Sequence, residues 1–198
     1  MRVLVACEYS GVVSWAFRDK GHWAISCDFL ENELTGRQFH HTGDVLEILD
    51  KGWDLLIAHP PCTDLAVSGA KHFAQKIADG RQQRALEFVQ KLMDAPIDKI
   101  CIENPVSVIS SKIRKPDQII QPWMFGHEAT KTTCLWLKNL PPLVPTKIVD
   151  KGERHITKSG KSLPAWYNLP PSKDRWKLRS KSFQGNADAM AELWGNEM

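Results

Sequence analysis

Apolar runs of strand length alternate with segments of helical periodicity from the N-terminus onward, and this alternation limits the possible folds more than any other feature. Arg2 to Cys7 is a continuous apolar run of the kind found in strands that are buried on both faces. A helix-like segment, Val12 to Lys20, and a second apolar run, Trp23 to Cys27, follow it. These three segments predict a βαβ unit, for which a parallel sheet is the usual setting.

The same alternation continues along the chain. Trp53 to Ala58, Ile97 to Ile102 and Thr132 to Leu137 are further strand-like runs, while Asp79 to Met93 and Phe183 to Trp194 have apolar residues at helical spacing. The chain has 198 residues, which leaves room for one domain of ordinary size. The predicted fold class is therefore α/β, with a single doubly wound, mostly parallel sheet.

Positive charge is concentrated in one stretch. Residues 1–139 carry 16 basic and 17 acidic residues, whereas residues 140–182 carry ten basic and three acidic ones. Because the second range is rich in Pro, Lys and Ser, we predict an irregular basic insertion between the core at 1–139 and a C-terminal helix at 183–198 that returns to the core. Cations interleaved with aromatic residues are typical of nucleic-acid contact, although a solvated loop is the alternative. The residues concerned are Trp166, Tyr167 and Trp176 among the candidate phosphate contacts Lys173, Arg175, Lys177 and Arg179.

Several classes of protein are excluded by simple patterns. With 42% hydrophobic and 25% charged residues, the chain has the composition of a globular protein rather than a disordered or fibrous one. Five cysteines without a C-x-x-C pair argue against a disulfide framework and a zinc site. No apolar run approaches the ~20 residues of a membrane span. The short apolar start does not fit a secretory signal, which favours the cytoplasm.

Three predicted strands end on polar or reactive residues, namely Asp28, Cys62 and Glu103. Ligands of open α/β sheets bind at the carboxyl ends of the strands, so these side chains should lie at one edge. Cys62 follows two prolines and could act as a nucleophile if a cation or hydrogen-bond donor activates its thiol. Glu103, if shielded from water, should have a raised proton affinity and could protonate a ring nitrogen. The alternative for Cys62 is a small buried side chain without reactivity.

Two of these strand ends carry the motifs of a known family. Pro60-Pro61-Cys62 and Glu103-Asn104-Pro105 resemble the P-P-C and E-N-V motifs of the cytosine-5 DNA methyltransferases. The resemblance implies a Rossmann-like fold that uses S-adenosylmethionine, with Cys62 adding to carbon 6 of cytosine and Glu103 engaging ring nitrogen 3. Carbon 5 of cytosine is a poor nucleophile, and transient covalent attachment at carbon 6 removes that obstacle.

Other motifs follow in the family's order. Tyr9-Ser10-Gly11 is similar to the F-x-G that opens the cofactor pocket, and Asp28-Phe29 matches an acidic residue for the ribose followed by a residue against adenine. Gly43-Asp44-Val45 resembles the segment whose Asp accepts from the adenine amino group, and Gln184-Gly185-Asn186-Ala187 resembles a late G-N-x-V motif. The resemblance therefore implies the cofactor-binding residues Tyr9, Ser10, Gly11, Asp28, Phe29, Asp44, Val45, Pro60 and Asn186.

The chain also departs from the family's pattern. Cys7-Glu8 and Val13 replace an Asp and a second glycine of the first motif. Phe125-Gly126 leads into a segment similar to the family's Q-x-R-x-R motif, but Lys131 and Thr133 stand in place of its two arginines. The resemblance implies a catalytic role for Lys131. Because lysine offers a point charge instead of a planar fork, positioning of the base should be looser or borrowed from another residue.

The short insertion bears on the substrate. The family has a target-recognition domain where this chain has the 43 residues 140–182, too few for a sequence-reading interface of about 600–1,000 Å². The leading hypothesis is methyl transfer from S-adenosylmethionine to carbon 5 of cytosine in DNA, through a covalent Cys62 intermediate and with little sequence specificity. The alternatives are an enzyme that modifies deoxycytidylate or another cytosine nucleotide, and a degenerate module that only binds nucleic acid. No metal or membrane is expected in any of them.

Overall fold

The computed structural model describes residues 1–34, 37–164, 170, 172–173 and 175–196, so Trp166 and Tyr167 lie outside the described residues. Within these ranges the strands are β1 Arg2–Ala6, β2 Trp23–Asp28, β3 His40–Thr42, β4 Leu55–Ala58, β5 Lys99–Pro105, β6 Gln118–Ile120, β7 Thr133–Lys138, β8 Arg154–Ile156 and β9 Ser162–Pro164. The α-helices are α1 Val12–Asp19, α2 Phe73–Ala78, α3 Arg81–Met93, α4 Ile109–Lys112, α5 Arg175–Ser180 and α6 Gln184–Gly195.

Seven strands form one mixed sheet in the order β3-β2-β1-β4-β5-β7-β6. The five strands β3, β2, β1, β4 and β5 are parallel to one another. Strand β7 runs antiparallel to both of its neighbours, β5 and β6. The strand order reverses between β1 and β4, and in doubly wound sheets ligands bind at the carboxyl ends beside such a reversal. The prediction of a mostly parallel α/β sheet is confirmed.

Helices cover both faces of the sheet, as the apolar runs require. Alternate residues of β1 point to opposite layers, with Val3 and Val5 in one core and Leu4 and Ala6 in the other. The first core is closed by α1 and α6, through side chains such as Phe17 and Trp194, and the second by α3, through Val89 and Leu92. The helices bury these side chains fully. Because both faces of the sheet are covered, the strands are continuously apolar and lack the alternation of polar and apolar residues found in sheets with one face in water.

The C-terminal helix joins two of the motifs found in the sequence. Gly185, near the start of α6, lies so close to the Phe125 carbonyl oxygen that a Cβ would come within 1.9 Å of it. Its backbone N–H donates to His127 Nε2 at 2.8 Å. Only glycine permits this approach, so the Phe125-Gly126 and Gln184-Gly185 motifs have a steric reason to occur together.

The basic insertion is more ordered than the sequence predicted. Residues 140–182 contain a two-stranded antiparallel hairpin, β8 and β9, and the short helix α5. The prediction of an irregular insertion is therefore wrong for these parts. The error has a physical reason: strands of three residues and a helix of six are too short to produce an apolar period.

Candidate active site

The carboxyl ends of β4 and β5 bring the two predicted catalytic residues to one edge of the sheet. Ile57 of β4 is paired with Cys101 of β5, and the turn that carries Cys62 starts directly after β4. Asn104 Nδ2 donates to the Pro60 carbonyl at 2.8 Å, which fixes this turn against the end of β5. The sequence prediction that the ends of these strands meet is confirmed.

Glu103 does not carry the raised proton affinity that the sequence predicted. Burial raises the pKa of this carboxyl, but the charge and hydrogen bond of His59, with the charge of Lys131, outweigh burial and lower the pKa below its ordinary value. His59 Nδ1 lies 3.1 Å from Glu103 Oε2. The sequence prediction was wrong because the direction of the Glu103 pKa shift depends on a cation, His59, that follows the neighbouring strand β4. Glu103 is accordingly a carboxylate at neutral pH.

Cys62 is exposed as a whole residue, although its sulfur is partly buried, and its thiol is protonated at rest. Burial of the sulfur raises the pKa of Cys62, and its own backbone N–H and the charges of Lys131 and Arg179 reduce this effect without cancelling it. The charge of Glu103 raises the same pKa further. A thiol with these neighbours requires activation before it attacks a substrate.

Side chains of α2 and α3 hold the loop that follows Cys62 in place. The buried Lys76 of α2 donates to the Thr63 carbonyl and lies 3.4 Å from Asp64 Oδ1. Gln82 of α3 donates to the Asp64 carbonyl at 3.2 Å. The Cys62 carbonyl accepts from the backbone of Leu65 and Ala66. These contacts hold the turn in one conformation, as a nucleophile requires.

Lys131 lies between the core and the basic insertion. Burial lowers the pKa of its ammonium group, the charges of Glu103 and Cys62 raise it, and the charge of Arg179 lowers it further. Its Nζ donates to the Lys181 carbonyl at 3.1 Å. Thr133, at the position of the family's second arginine, is buried and donates its hydroxyl to the Lys131 carbonyl. A second cation near the sulfur comes from Arg179 of α5.

Tyr9 fixes α5 over the end of β1. The Tyr9 hydroxyl donates to the Lys177 carbonyl at 2.6 Å and lies 3.1 Å from Ser180 Oγ. Its ring packs against Trp176, with the ring centroids 5.8 Å apart. The sequence placed Tyr9 in the cofactor pocket and Arg179 on DNA, whereas the structure joins Tyr9 to the helix that brings the Arg179 charge to Cys62.

Three of the predicted cofactor residues, Asp28, Phe29 and Asp44, lie on the side of β1 away from β4. Asp28 ends β2 and its carbonyl accepts from Gly43 N, directly before Asp44. Burial raises the pKa of the Cys7 thiol at the end of β1, and the charges of Asp28 and Asp44 raise it further, so both carboxylates lie near this strand end. Phe29 is 76% exposed beside them. Two carboxylates and an open aromatic face at one strand edge fit a ribose and an adenine ring.

Gly11 and the turn around it have the geometry expected of a tight cofactor loop. Gly11 has φ +72°, which favours glycine, and a Cβ there would come within 2.7 Å of Asn32 Oδ1. Asn32 is fixed by its own donation to Ser26 Oγ at 2.7 Å. Ser10, also predicted to bind the cofactor, is buried beside Gly11. Asn32 was missed in the sequence because nothing local links it to Gly11.

Glu8 is a second residue that the sequence did not assign. Its carboxylate accepts from the backbone N–H groups of Val13 and Ser14, at 2.6 and 3.1 Å, and so caps the start of α1. Burial raises the pKa of Glu8, while the His59 charge and these hydrogen bonds lower it, and the net pKa is raised. An acidic residue shortly before a predicted helix was the available signal.

Three other predicted cofactor residues are buried. The side chain of Val45 is in the core, so only its backbone is available to a ligand. Pro60 contributes its carbonyl to Asn104. Asn186 is 5% exposed, and its Oδ1 is buried without a hydrogen-bond partner among the described residues. A buried acceptor of this kind fits a donor group on a bound molecule.

The remaining predictions concern metals and membranes. Among the described residues no group of His, Cys, Asp and Glu side chains has the arrangement of a metal site. Over the same part of the chain, no helix has the length and apolar character needed to span a bilayer.

Comparison with known proteins gives a likeness in fold. No protein-family model and no curated protein matches the chain. A solved structure from E. coli, described as a candidate DNA modification methyltransferase encoded within a prophage, superposes with a TM-score of 0.54 at 15% sequence identity. The match covers 77% of this chain and 53% of that one, so the chain spans about half the length of this neighbour. At this identity the likeness shows that the two share a fold.

Proposed function

We propose that the chain is an S-adenosylmethionine-dependent methyltransferase that modifies carbon 5 of cytosine in DNA. One observation carries the proposal: the turn that carries Cys62 starts directly after β4, Asn104 fixes this turn against the end of β5, and Glu103 precedes Asn104 on β5. A nucleophile and a carboxyl group at one edge suit a ring that is attacked at one atom and protonated at another. The fold shared with a candidate DNA methyltransferase supports the same class.

The residues divide into those that hold the cofactor and those that act on the base. Asp28 and Asp44 would accept hydrogen bonds from ribose and adenine, and Phe29 would lie against the adenine ring. When bound, S-adenosylmethionine supplies an electrophilic methyl group. Lys131 and Arg179 stabilise the Cys62 thiolate as it forms, since their charges favour the ionised sulfur.

Cys62 performs the covalent step. The thiol first loses its proton to water. The thiolate then forms a bond to carbon 6 of cytosine, and the electrons of the 5,6 double bond move to carbon 5 while Glu103 engages nitrogen 3. Carbon 5 then has the electron density needed to accept a methyl group. Loss of the carbon 5 proton to water restores the double bond and releases the Cys62 thiolate. The thiolate then takes up a proton from water, so the enzyme is unchanged after one turnover.

We expect the chain to transfer label from methyl-labelled S-adenosylmethionine to cytosine-containing DNA. Digestion of the DNA to nucleosides should then yield labelled 5-methylcytosine. A parallel reaction with deoxycytidylate tests the nucleotide-modifying alternative, which predicts label in the mononucleotide and none in the polymer. If pure, folded protein labels neither substrate but retains salt-sensitive DNA binding, the degenerate binding module is the correct description.

The basic residues of the insertion should divide into two groups: those whose charge acts on the Cys62 thiol, and those that only contact DNA phosphates. We expect Arg179→Ala to shift the alkylation of Cys62 by iodoacetamide to higher pH, because one of the two cations acting on the thiol is removed. Lys173→Ala is the matched control: Lys173 is exposed, and its loss should leave alkylation unchanged while reducing the salt dependence of DNA affinity by about one phosphate contact. Peptide mass spectrometry assigns the alkylation to Cys62.

Replacing Lys173, Arg175, Lys177 and Arg179 together should lower DNA affinity and flatten its salt dependence. An identical Cys62 titration in the Arg179 and Lys173 variants would contradict the division into two groups.

A further inference from the structure

His59 and Glu103 form a buried pair at the center of the proposed base site. The two residues follow the register pair Ile57 and Cys101 by two positions each, so their side chains leave the same face of the sheet. Their side chains are 14% and 15% exposed, and Nδ1 lies 3.1 Å from Oε2. The His59 backbone N–H donates to the Ala6 carbonyl at 2.9 Å, which extends the β1–β4 ladder to this residue.

Charged groups from three directions determine the state of this pair. Glu8 faces His59 from the turn before α1, Glu103 from β5 and Lys131 from the segment before β7. Burial lowers the pKa of His59, but the two carboxylates outweigh burial and the repulsion by Lys131, and the net pKa is raised. Around Glu103 lie also the thiols of Cys62 and Cys101. The raised pKa of His59 and the lowered pKa of Glu103 both favour an imidazolium beside a carboxylate.

This resting state does not suit cytosine. Nitrogen 3 of neutral cytosine carries a lone pair and no hydrogen, so an ionised Glu103 would oppose one acceptor with another. A proton must reach the carboxyl group before it can donate to the ring. The His59 imidazolium is in contact with that carboxyl group and holds such a proton.

We propose that His59 stores the proton that Glu103 delivers to nitrogen 3 of the bound base. In this step the Nδ1–H bond breaks as an O–H bond forms on Glu103, and the O–H bond then breaks as an N–H bond forms on the ring. His59 is left neutral, Glu103 is again a carboxylate, and the ring carries the positive charge. After methyl transfer, nitrogen 3 returns the proton through Glu103 to His59. That charge makes carbon 6 more open to attack by Cys62.

The surroundings of His59 favour this route. Its Nε2 is buried and has no hydrogen-bond partner in the part of the chain that the structure describes. The contact with Glu103 is therefore the path by which the imidazole exchanges its proton. His59 is a positioning residue, because it reaches the base through Glu103. The inference rests on the proposed function, since it assigns the origin of a proton in that reaction.

The test compares wild type with His59→Gln, which keeps a hydrogen-bond donor but cannot titrate. We expect kcat for methyl transfer to fall about 10²-fold, the size of a general-acid contribution, with KM for DNA changed less than about threefold. Without the imidazolium the pKa of Glu103 rises, and Glu103 must take its proton from solvent. The rate of the variant should therefore increase as the pH falls, whereas wild type should lose rate only as the pH rises through the raised pKa of His59.

Two spectroscopic readouts keep the inference testable if the variant folds poorly or turnover is absent. In wild type, nitrogen-15 NMR should show His59 protonated above about pH 6.5, the ordinary midpoint of histidine. Carbon-13 NMR of the Glu103 carboxyl should show a higher midpoint in His59→Gln than in wild type. A neutral His59 in wild type at pH 6.5, or an active variant with the wild-type pH profile, would overturn the inference. Absence of transfer by wild type on every substrate would instead overturn the proposed function.

Discussion

Cys62→Ala should abolish methyl transfer, with a loss on the order of 10⁶-fold as seen when a nucleophile is removed from other enzymes. The reason is that carbon 5 of the base becomes reactive only while carbon 6 is bonded to the sulfur. Transfer of labelled methyl groups to DNA measures the loss. Because Cys62 is exposed, the substitution should change the free energy of unfolding by no more than about 0.5 kcal/mol.

The same variant distinguishes chemistry from binding. Calorimetry should give a nearly unchanged affinity for S-adenosylhomocysteine, since Asp28 and Asp44 lie at the β2 and β3 side of the sheet. DNA containing 5-fluorocytosine should trap a covalent adduct on wild type, visible as added mass on the peptide that carries Cys62. Cys101→Ala is a suitable control, because Cys101 is fully buried and should not form the adduct. An adduct or wild-type turnover in Cys62→Ala would disprove the assigned role.

The sheet was predictable because its signals are local. The runs Arg2 to Cys7 and Trp23 to Cys27 correspond to β1 and β2 within one residue at each end, since buried parallel strands are continuously apolar. The short strand β3, His40–Thr42, was not predicted. It is polar and is defined by its pairing with β2, and pairing with another strand cannot be seen in three residues.

The site was predictable in location but not in electrostatics. The pairing of β4 with β5 makes the carboxyl ends of these strands neighbours, and such pairing of two apolar runs was foreseeable from the sequence. The direction of the Glu103 pKa could not be inferred, since it depends on His59 lying 3.1 Å away on another strand. The effect of the Arg179 charge on the Cys62 pKa could not be inferred from the sequence either. It depends on the contact of Tyr9 with α5, which joins residues 168 positions apart.

This placement of α5 suggests how a short insertion can replace part of a larger one. The buried Thr133 stands where the family that the sequence resembles has its second arginine. Arg179 supplies a positive charge that acts on the sulfur, from a helix held by Tyr9. The insertion would then serve the chemistry as well as DNA binding, which agrees with a loop too small to read sequence.

Cys62 is exposed and Glu103 is more buried, so we expect Cys62→Ala and Glu103→Gln to differ in their effects on activity and stability. Glu103→Gln should lower kcat by about 10²–10⁴-fold, because the amide cannot pass a proton to the ring. Affinity for DNA should change only slightly, since the side chain keeps its size and phosphate contacts lie elsewhere. Glu87→Gln on α3 is the matched control. Glu87 is exposed and accepts a hydrogen bond from Gln83, and its replacement should leave turnover unchanged.

Stability should respond to Glu103→Gln in a manner set by pH. The lowered pKa of Glu103 and the raised pKa of His59 mean that the charged pair stabilises the wild type between those two values. Its contribution is lost as the pH falls through the pKa of Glu103, and again as the pH rises through that of His59. In urea unfolding, the variant should therefore be less stable than wild type by roughly 1–3 kcal/mol near pH 6. The difference should shrink in alkaline solution, where His59 is neutral in both proteins, and a difference that stayed constant with pH would show that the two side chains are not coupled.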